Sequence, residues 1–369
     1  MNLLYTDIED QLRASVRDLL ADKAKPADVL ARCESDQPYD LDLWRALAEL
    51  GATSLLVPEE LGGQGATRRE VAVVLEELGR SVAPVPYLGS AVLAAETLLR
   101  CEPTEAVREL LAGLSAGTSV PVLAVSLATA PESPFYASVA TTGLGDSQVA
   151  ATGTIRTVAD AAAADVLIVP VDQSLYAVPV AQDGVTVTPA VSLDLTRPVA
   201  DIELAGATAT DLSTNASPAV RGALWSAAGL LASEQLGVAE WCLSTTVAYL
   251  KERYQFGRPV GSFQALKHRL ADLWQELVLA RAAARHAADS TGGSDATEAR
   301  IAASLAQSLC STVTVHAAEE CVQLHGGIGM TWEHPAHLYL KRAKADAIAL
   351  GSAQAHRALL APMVDLPGA

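Results

Sequence analysis

The sequence is poor in aromatic side chains and in positive charge. Phe, Trp and Tyr make up 4% of the 369 residues, and 26 Lys and Arg stand against 43 Asp and Glu, for a formal net charge of −17. A protein that binds nucleic acid needs a basic face for the phosphate backbone, and electrostatic attachment to anionic lipid also needs basic residues. The charge balance therefore argues against both kinds of partner.

Long apolar runs are also missing. No stretch reaches the roughly 18–20 apolar residues of a membrane span, and the N-terminal residues show a mixed-charge amphipathic pattern rather than a secretory signal. The five cysteines are odd in number and contain no C-x-x-C pair, which is typical of buried free thiols in a reducing compartment. We therefore expect a cytoplasmic protein without a membrane segment. The cysteines are Cys33, Cys101, Cys242, Cys310 and Cys321.

Apolar residues, mainly Ala, Leu and Val, make up half of the chain and supply ample material for a core. Over residues 1–117 they recur at helical spacing, as at Val16 and Leu20, which predicts an N-terminal helical domain. In this domain Gly51 is expected to end one helix and Thr67 to cap another after a Gly-rich turn. That turn is weak evidence for phosphate binding, because no P-loop Lys follows it.

Residues 118–215 change to short segments that are rich in β-branched residues and broken by turn residues, which predicts a middle antiparallel β-domain. This block contains no Lys, two Arg (Arg156 and Arg197) and ten acidic residues, so its charge of −8 is close to half of the total. Residues 216–369 return to long helices and predict a C-terminal four-helix bundle, with one helix over 337–363 as the last. The predicted fold class is α+β.

Three stretches resemble a known family. They are VPEELGGQG at 57–65, ERYQFGRPVGSFQALKHRLADL at 252–273 and QLHGGIGMTWEHPAHLYLKRAKAD at 323–346. Together with the domain order they resemble the acyl-CoA dehydrogenase family over essentially the whole chain. The resemblance implies a flavin enzyme that removes an α-proton of an acyl-CoA thioester with a carboxylate base. It also implies that FAD takes the β-hydride and that an electron-transfer flavoprotein takes the electrons.

The resemblance further implies which residues hold FAD. Arg supplies a planar cation for a pyrophosphate, Gln a neutral donor, and Gly permits close backbone approach. In the family, most of the matching positions reach across a dimer interface to the neighbour's FAD. The implied cofactor residues are Arg253, Gln255, Phe256, Gln264, Gln323, Gly326, Gly327, Ser352 and Gln354.

Simpler interpretations exist for parts of this pattern. Arg253 could be an ordinary surface residue at a helix terminus, and Gly326–Gly327 could serve as a helix C-cap as well as a contact. His325 is expected to be a packed or interface residue rather than a base. The histidines 268, 334 and 337 show no metal-ligand spacing, so no metal site is predicted.

The catalytic positions depart from the family pattern. The usual base position falls on Leu350, and the second known position falls on Ala227 with Ala228 beside it; none of these side chains can abstract a proton. Glu234 lies on nearly the same helix face as Ala227, but about 10 Å further along the axis. It is therefore expected to be a buried or interface acid, and no catalytic residue is assigned.

The β-domain also lacks the residues that the family uses around the flavin ring. The matching stretch at 126–138 contains no Gly, and Arg156 and Thr157 lie near the position of the stacking aromatic, so a flat ring would lose its partner. The pattern is similar to the degenerate subunit of actinobacterial α2β2 acyl-CoA dehydrogenases, which act on bulky steroid side-chain thioesters.

The hypothesis is therefore a subunit that completes the FAD site of a catalytic paralogue and is active only with it. Two alternatives stay open at this point. One is a self-sufficient homo-oligomeric dehydrogenase with a relocated base such as Glu234. The other is a non-enzymatic binding or scaffold protein for acyl groups carried by CoA or a carrier.

Overall fold

Helices form the N-terminal part of the computed structural model, which describes residues 3–135, 138–145 and 147–366. Gly51 follows the third helix with a left-handed φ of 75°, and Thr67 caps the fourth in a capping box with Glu70, as predicted. A π-helical segment, Tyr87–Ala94, leads directly into the fifth helix. The helices are α1 (Asp7–Lys23), α2 (Pro26–Cys33), α3 (Leu41–Glu49), α4 (Arg68–Ser81), α5 (Ala95–Leu98) and α6 (Glu105–Ser115).

The middle part is a sheet in which the described residues form seven strands. They are β1 (Pro121–Leu123), β2 (Ser138–Gly145), β3 (Gln148–Ala159), β4 (Val166–Val171), β5 (Ser174–Pro179), β6 (Val185–Pro189) and β7 (Val199–Ser213). Their order is β1-β4-β5-β7-β3-β2, and β6 also pairs with β7.

One pairing differs from the antiparallel prediction. β1 pairs parallel with β4, from Pro121 opposite Val166 to Leu123 opposite Ile168. Consecutive strands joined by a short turn must be antiparallel, but β2 and β3 separate β1 from β4, so the chain can return in the same direction. The sheet is therefore mixed.

The C-terminal part is a helical bundle. Its elements are α7 (Ala216–Glu252), the short strands β8 (Tyr254–Gln255) and β9 (Arg258–Pro259), α8 (Gln264–Ser290), α9 (Ala296–His325), α10 (Ala336–Asp346) and α11 (Ala353–Met363). Thr314 on α9 contacts Gln235 on α7, and His325 contacts Tyr249, so these two helices run parallel. α8 runs antiparallel to α9, since Arg269 pairs with Glu320 and His286 with Glu298.

The prediction of one continuous last helix is wrong. Residues 347–352 separate α10 from α11. Leu350 and Gly351 adopt left-handed φ values of 55° and 103°, which a helix cannot contain, and Ser352 then caps α11. The α+β architecture itself, with helical, β-sheet and bundle parts in that order, is confirmed. The division into separate units at 1–117, 118–215 and 216–369 stays a prediction.

Glycines bring the N-terminal helices into direct contact with the bundle. A Cβ atom on Gly79 of α4 would lie 2.1 Å from the carbonyl oxygen of Glu234, and one on Gly237 of α7 would lie 1.9 Å from that of Glu76. Such distances leave no room for a side chain on either helix. No helix in the described part of the chain combines the length and apolar character that a bilayer crossing needs.

Candidate functional site

A two-residue hairpin between α7 and α8 exposes an aromatic ring. Phe256 and Gly257 join β8 to β9, and both have left-handed backbone, with φ of 54° and 74°. This is the type I′ turn that suits paired strands, although it strains a residue other than glycine. The Phe256 ring is 90% exposed, and its neighbour Phe263 lies 6.2 Å away between centroids. A strained residue with an exposed ring is typical of a contact site.

Exposed polar side chains surround this hairpin. Arg253 follows α7 directly and has no carboxylate partner within the residues that the structure describes. Arg258, by contrast, lies over the Phe263 ring at 3.9 Å. Gln255 is exposed, and its amide contacts only the backbone carbonyl of Tyr254 among described residues. Arg253 is therefore free to bind an anion such as a pyrophosphate.

The end of α9 presents a second exposed backbone. Gln323 is exposed, and Gly326 has a left-handed φ of 63° that ends the helix. No described atom lies within 4 Å of where a Cβ would stand on Gly326 or Gly327, so a ligand can approach this backbone closely. Gly326 is the C-cap of α9, as one interpretation predicted, and the open backbone leaves room for the predicted contact.

Ring stacking brings these two surfaces to one end of the bundle. The His325 ring stacks on Tyr249 with 4.5 Å between centroids, which fixes the end of α9 beside the end of α7. His325 is buried, as expected of a packed residue. Seven predicted cofactor residues therefore share this end, hereafter the bundle-end surface: Arg253, Gln255, Phe256, Gln264, Gln323, Gly326 and Gly327.

The two remaining predicted residues lie elsewhere. Ser352 and Gln354 are exposed at the start of α11, where the Ser352 hydroxyl accepts the N–H of Ala355 at 3.2 Å. The turn before them is fixed to the middle of α9, because Gln307 donates to the carbonyl of Ala349 at 3.1 Å. Gln307 precedes Gln323 by sixteen residues, which is about 24 Å along a helix. Ser352 and Gln354 are thus not part of the bundle-end surface.

Leu350, at the family's base position, is completely buried. Its N–H donates to the carbonyl of Leu127 at 2.7 Å, and its own carbonyl lies 2.9 Å from Nε2 of His356. The N–H and the carbonyl of Leu350 are therefore both bonded, and these two contacts fix the turn at the family's base position. An aliphatic side chain in this place cannot move a proton.

The second base position is also occupied by inert side chains. Ala227 and Ala228 are fully buried in α7. Nearby, the indole N–H of Trp225 donates to Glu132 at 2.9 Å, and its ring meets His356 edge-on at 6.3 Å between centroids. Bulky side chains thus fill the space between α7, α11 and the loop after β1.

Glu234 belongs to a buried ionic cluster rather than to an open site. It pairs with Arg197 and, at 2.6 Å, with Arg342, while Arg342 also pairs with Asp194 at 2.6 Å. Arg197 binds Asp346 at 2.7 Å. All five side chains are buried, and together they join the loop between β6 and β7 to α7 and α10.

This cluster shifts the pKa values of Glu234 and Asp346, its two carboxylates in the bundle, in opposite directions. Burial opposes ionisation of Glu234, but the Arg197 and Arg342 guanidiniums outweigh it and lower the pKa of Glu234. Burial, together with the charge of Glu234, raises the pKa of Asp346 to about 7. Glu234 is therefore an ionised structural partner and a poor base. This agrees with the expectation of a buried acid.

The β-domain surface near the family's flavin-ring position is a shallow recess of about 300 Å³, lined among others by Ser126, Arg156 and Thr157. Several polar groups around Thr157 are already bonded within the protein. Thr157 N–H donates to Asp201 at 2.8 Å, Leu127 N–H donates to the carbonyl of Thr157 at 3.0 Å, and the Ser126 and Thr157 hydroxyls bind each other at 2.8 Å. A flavin ring needs donors along its polar edge, and none of these groups is available for one.

Among the residues that the structure describes, this recess also has no available aromatic face. Phe135 is buried, with the Arg221 guanidinium 5.5 Å from its ring centroid, and Arg156 is an exposed cation paired with Asp201 at 3.3 Å. The described residues therefore offer this chain's own flavin ring no stacking partner, whereas the bundle-end surface fits the anionic part of a cofactor.

A cavity of about 460 Å³ lies beside the first turns of α7. Arg100, Arg221 and Arg300 contribute to its lining, together with Trp225 and Ser226. Arg100 and Arg221 have carboxylate partners, whereas Arg300 is exposed and has none within the described ranges. This cavity can accept an anionic ligand at its Arg300 side. The described residues contain no group of three or more His, Cys, Asp or Glu that could hold a metal ion.

Two features were missed at the level of sequence. The ionic cluster joins residues that are up to 149 positions apart, so no local pattern shows it. One signal was present, since Arg197 is one of two basic residues in an acidic block, and a lone cation there favours a buried pair. The arginine-lined cavity has no comparable signal, because its residues come from α7, α9, the turn after α5 and the loop between α8 and α9.

Comparisons with known proteins agree with this fold. Residues 6–118 match the model of the acyl-CoA dehydrogenase N-terminal domain, and residues 218–364 match that of the C-terminal domain. The acyl-CoA dehydrogenase IpdE2 of Mycolicibacterium smegmatis is 40% identical over 341 residues, which cover 92% of this chain and 93% of the relative.

Two solved structures are also similar. The ChsE4–ChsE5 complex from Mycobacterium tuberculosis is 28% identical, with a TM-score of 0.84 and all of both chains covered. A variant of the Tcur3481–Tcur3483 steroid ACAD is 27% identical, with a TM-score of 0.84 and coverage of 97% of this chain and 98% of the other. The chain belongs to the acyl-CoA dehydrogenase family, a family of flavin-dependent oxidoreductases. The resemblance seen in the sequence is thereby confirmed.

Proposed function

We propose that the chain is the non-catalytic subunit of an α2β2 acyl-CoA dehydrogenase, which completes the FAD site of a catalytic paralogue and supplies no base. The observation that carries this proposal is the Leu350 turn. The family's base position holds a buried aliphatic side chain whose backbone is bonded to Leu127 at 2.7 Å. The similarity to the ChsE4–ChsE5 complex supports a partner of the same family.

The bundle-end surface is the part of the chain assigned to the partner's cofactor. Arg253 would neutralise the pyrophosphate, while Gln255, Gln264 and Gln323 would donate to polar groups of the cofactor. Phe256 would cover an aromatic face, and Gly326 with Gly327 would allow the backbone to approach. FAD, when bound there, accepts the hydride in the α,β-desaturation of the thioester. Ser352 and Gln354 are proposed as contacts to a separate cofactor region.

The substrate class is proposed from similarity and charge. The Tcur3481–Tcur3483 relative is a steroid ACAD, which suggests a bulky steroid side-chain thioester for this chain as well. The arginine-lined cavity beside α7 supports contact with an anionic CoA group, with Arg300 as its unpaired cation among the described residues. Electron transfer to an electron-transfer flavoprotein and a cytoplasmic location complete the proposal.

A second candidate function draws on the same cavity. A non-enzymatic acyl-CoA-binding protein would need the cavity but neither a base nor a flavin ring. The third possibility, a homo-oligomer with Glu234 as base, is opposed by the ion pairs of Glu234 with Arg197 and Arg342.

Co-purification with the paralogue, followed by flavin quantification, separates these functions. We expect the chain alone to be flavin-poor and inactive, and the complex to be yellow and active with two FAD per four chains. Four FAD per four chains, or full activity of the chain alone, would contradict the proposal. A complex without any flavin would favour the binding protein.

A further inference from the structure

Two buried cysteines face each other between α7 and α9. The helices keep a fixed register, since the Thr314 hydroxyl donates to the carbonyl of Gln235 at 2.8 Å. Seven residues further along each helix, which is about two turns, the register brings Cys242 beside Cys321. Both residues are completely buried, and each thiol is close enough to shift the pKa of the other.

A histidine lies against one of these thiols. Nδ1 of His325 is 3.7 Å from Sγ of Cys321 and 2.7 Å from the carbonyl oxygen of the same residue. The His325 ring is held in place by its stacking on Tyr249, and its Nε2 has no partner among the described residues. This arrangement stabilises a negative charge on the sulfur of Cys321.

The two cysteines of α9 therefore differ in reactivity. The neighbouring Cys242 and His325 side chains lower the pKa of Cys321 to about 5, against the effect of burial. Burial alone raises the pKa of Cys310 to about 12. Since the thiolate is the reactive form, Cys321 is activated and Cys310 is inert.

We infer that Cys321 and Cys242 form a redox-active dithiol that a small hydroperoxide converts into an intramolecular disulfide between α7 and α9. In the first step the Cys321 sulfur attacks the O–O bond, so that an S–O bond forms and hydroxide leaves. The proton held between Cys321 and His325 converts that hydroxide to water. In the second step the Cys242 sulfur attacks the sulfenic sulfur, the S–S bond forms, and the S–O bond breaks. Its thiol proton and the second hydroxide give water, so two thiols reduce one hydroperoxide.

The position of the two cysteines determines how an oxidant can reach them and which surface the oxidation affects. Cys321 lies one helical turn before Gly326 and Gly327, which are exposed, so local opening of this last turn admits a water-sized oxidant. Oxidation bonds the Cys321 sulfur to Cys242 and removes the negative charge beside His325, directly below the bundle-end surface. The effect on a partner's cofactor rests on the proposed function, but formation of the disulfide does not.

The test uses the purified full chain with hydrogen peroxide at neutral pH, alkylation of the remaining thiols, and peptide mass spectrometry. We expect a peptide pair joined through Cys242 and Cys321 that lacks two hydrogen atoms. Cys310→Ser, the matched control, should form the same disulfide at the same rate, and Cys321→Ser should form none. His325→Asn should slow the reaction about tenfold at neutral pH and much less at alkaline pH, where the thiol ionises unaided.

Three results would overturn the inference. The first is survival of both thiols after the more exposed Cys33 and Cys101 have been oxidised. The second is disulfide formation only after unfolding in urea. The third is an unchanged rate in His325→Asn at neutral pH. Because the readout is thiol chemistry on the chain alone, it is independent of flavin, partner and substrate, and failure of the proposed function would leave it intact.

Discussion

Leu350 and Leu127 are joined by one backbone hydrogen bond of 2.7 Å, which closes the turn between α10 and α11 onto the loop after β1. Each residue is about 220 positions from the other in sequence, and the bond connects the bundle to the β-domain. It also places the family's base position against the region where the flavin-ring contacts are missing. The two losses are therefore neighbours in space.

Restoring a carboxylate at this position should not restore activity to the chain alone. Leu350→Glu buries an acid without a partner and should lower the free energy of unfolding by about 3 kcal/mol. The described residues of the recess present no aromatic face to a flavin ring, so bound flavin and dehydrogenation should both stay at background. Leu350→Met is the matched control and should cost less than about 1.5 kcal/mol. Denaturant unfolding and flavin absorbance check this, and a yellow, active L350E chain would refute our interpretation of the recess.

Arg253 should control cofactor retention in the complex with the paralogue. Arg253→Ala removes a charge-assisted contact worth about 1.5–3 kcal/mol, which corresponds to roughly a tenfold or greater loss of FAD affinity. The fold should be unaffected, because Arg253 is exposed and forms no ion pair within the described residues. Flavin titration of the complex measures the effect. Arg45→Ala, which alters an exposed arginine on α3, should retain FAD fully; equal losses in both variants would count against the assignment.

Glu234 should matter for stability and not for chemistry. Glu234→Gln leaves Arg197 and Arg342 with one carboxylate fewer in a buried cluster, which should cost about 3 kcal/mol of unfolding free energy. The kcat of the assembled complex should stay within about twofold of the wild type, since the carboxylate holds no proton to move. Glu319→Gln, at an exposed pair with Lys344, is the control for stability. A loss of kcat with unchanged KM would revive Glu234 as a base.

Asp346 should make the chain less stable as pH rises. Its pKa is raised from the usual 3.8 to about 7, so between these values the folded state binds more protons than the unfolded state. The stabilisation is complete below about pH 4 and is lost as pH rises through 7, on the order of 3 kcal/mol between pH 5 and pH 8. Asp346→Asn should remove this dependence. Urea unfolding at several pH values measures it.

An exposed carboxylate provides the comparison for that experiment. Asp42 lies on the surface of α3 beside Arg45. Asp42→Asn should leave the slope of stability against pH as it is in the wild type. If D346N showed the same slope as D42N, the raised pKa would not govern stability in this range.

Local patterns were sufficient for most of the secondary structure. Gly51 and Thr67 have the expected roles at helix ends because each requires only its own neighbours along the chain. The break before α11 was missed because Ala and Leu on both sides favour helix, and the left-handed φ of Leu350 depends on its bond to Leu127. Likewise, local patterns could not predict the parallel pairing of β1 with β4, because these strands are far apart in the sequence.

The candidate site also divides into features that residue types alone predict and features that depend on distant contacts. The inert side chains at the family's two base positions, Leu350 and Ala227 with Ala228, could be read from the sequence, because a residue type alone decides whether a proton can be moved. The hydrogen bonding in the recess near the flavin-ring position could not be predicted from the sequence. It depends on the bonds of Thr157 with Asp201 and Ser126. The grouping of Arg253 with Gln323 also needed the stacking of His325 on Tyr249.

The glycine contacts between α4 and α7 restrict how this molecule can move. Gly79 and Gly237 let the two helix backbones touch, so neither helix can roll over the other without parting from it. Hinge closure of the N-terminal helices over the bundle is therefore not available as a way of admitting ligand. Entry and release must use loop motion, side-chain rotation or the separation of subunits. In the proposed complex, assembly itself would then be the step that opens and closes the site.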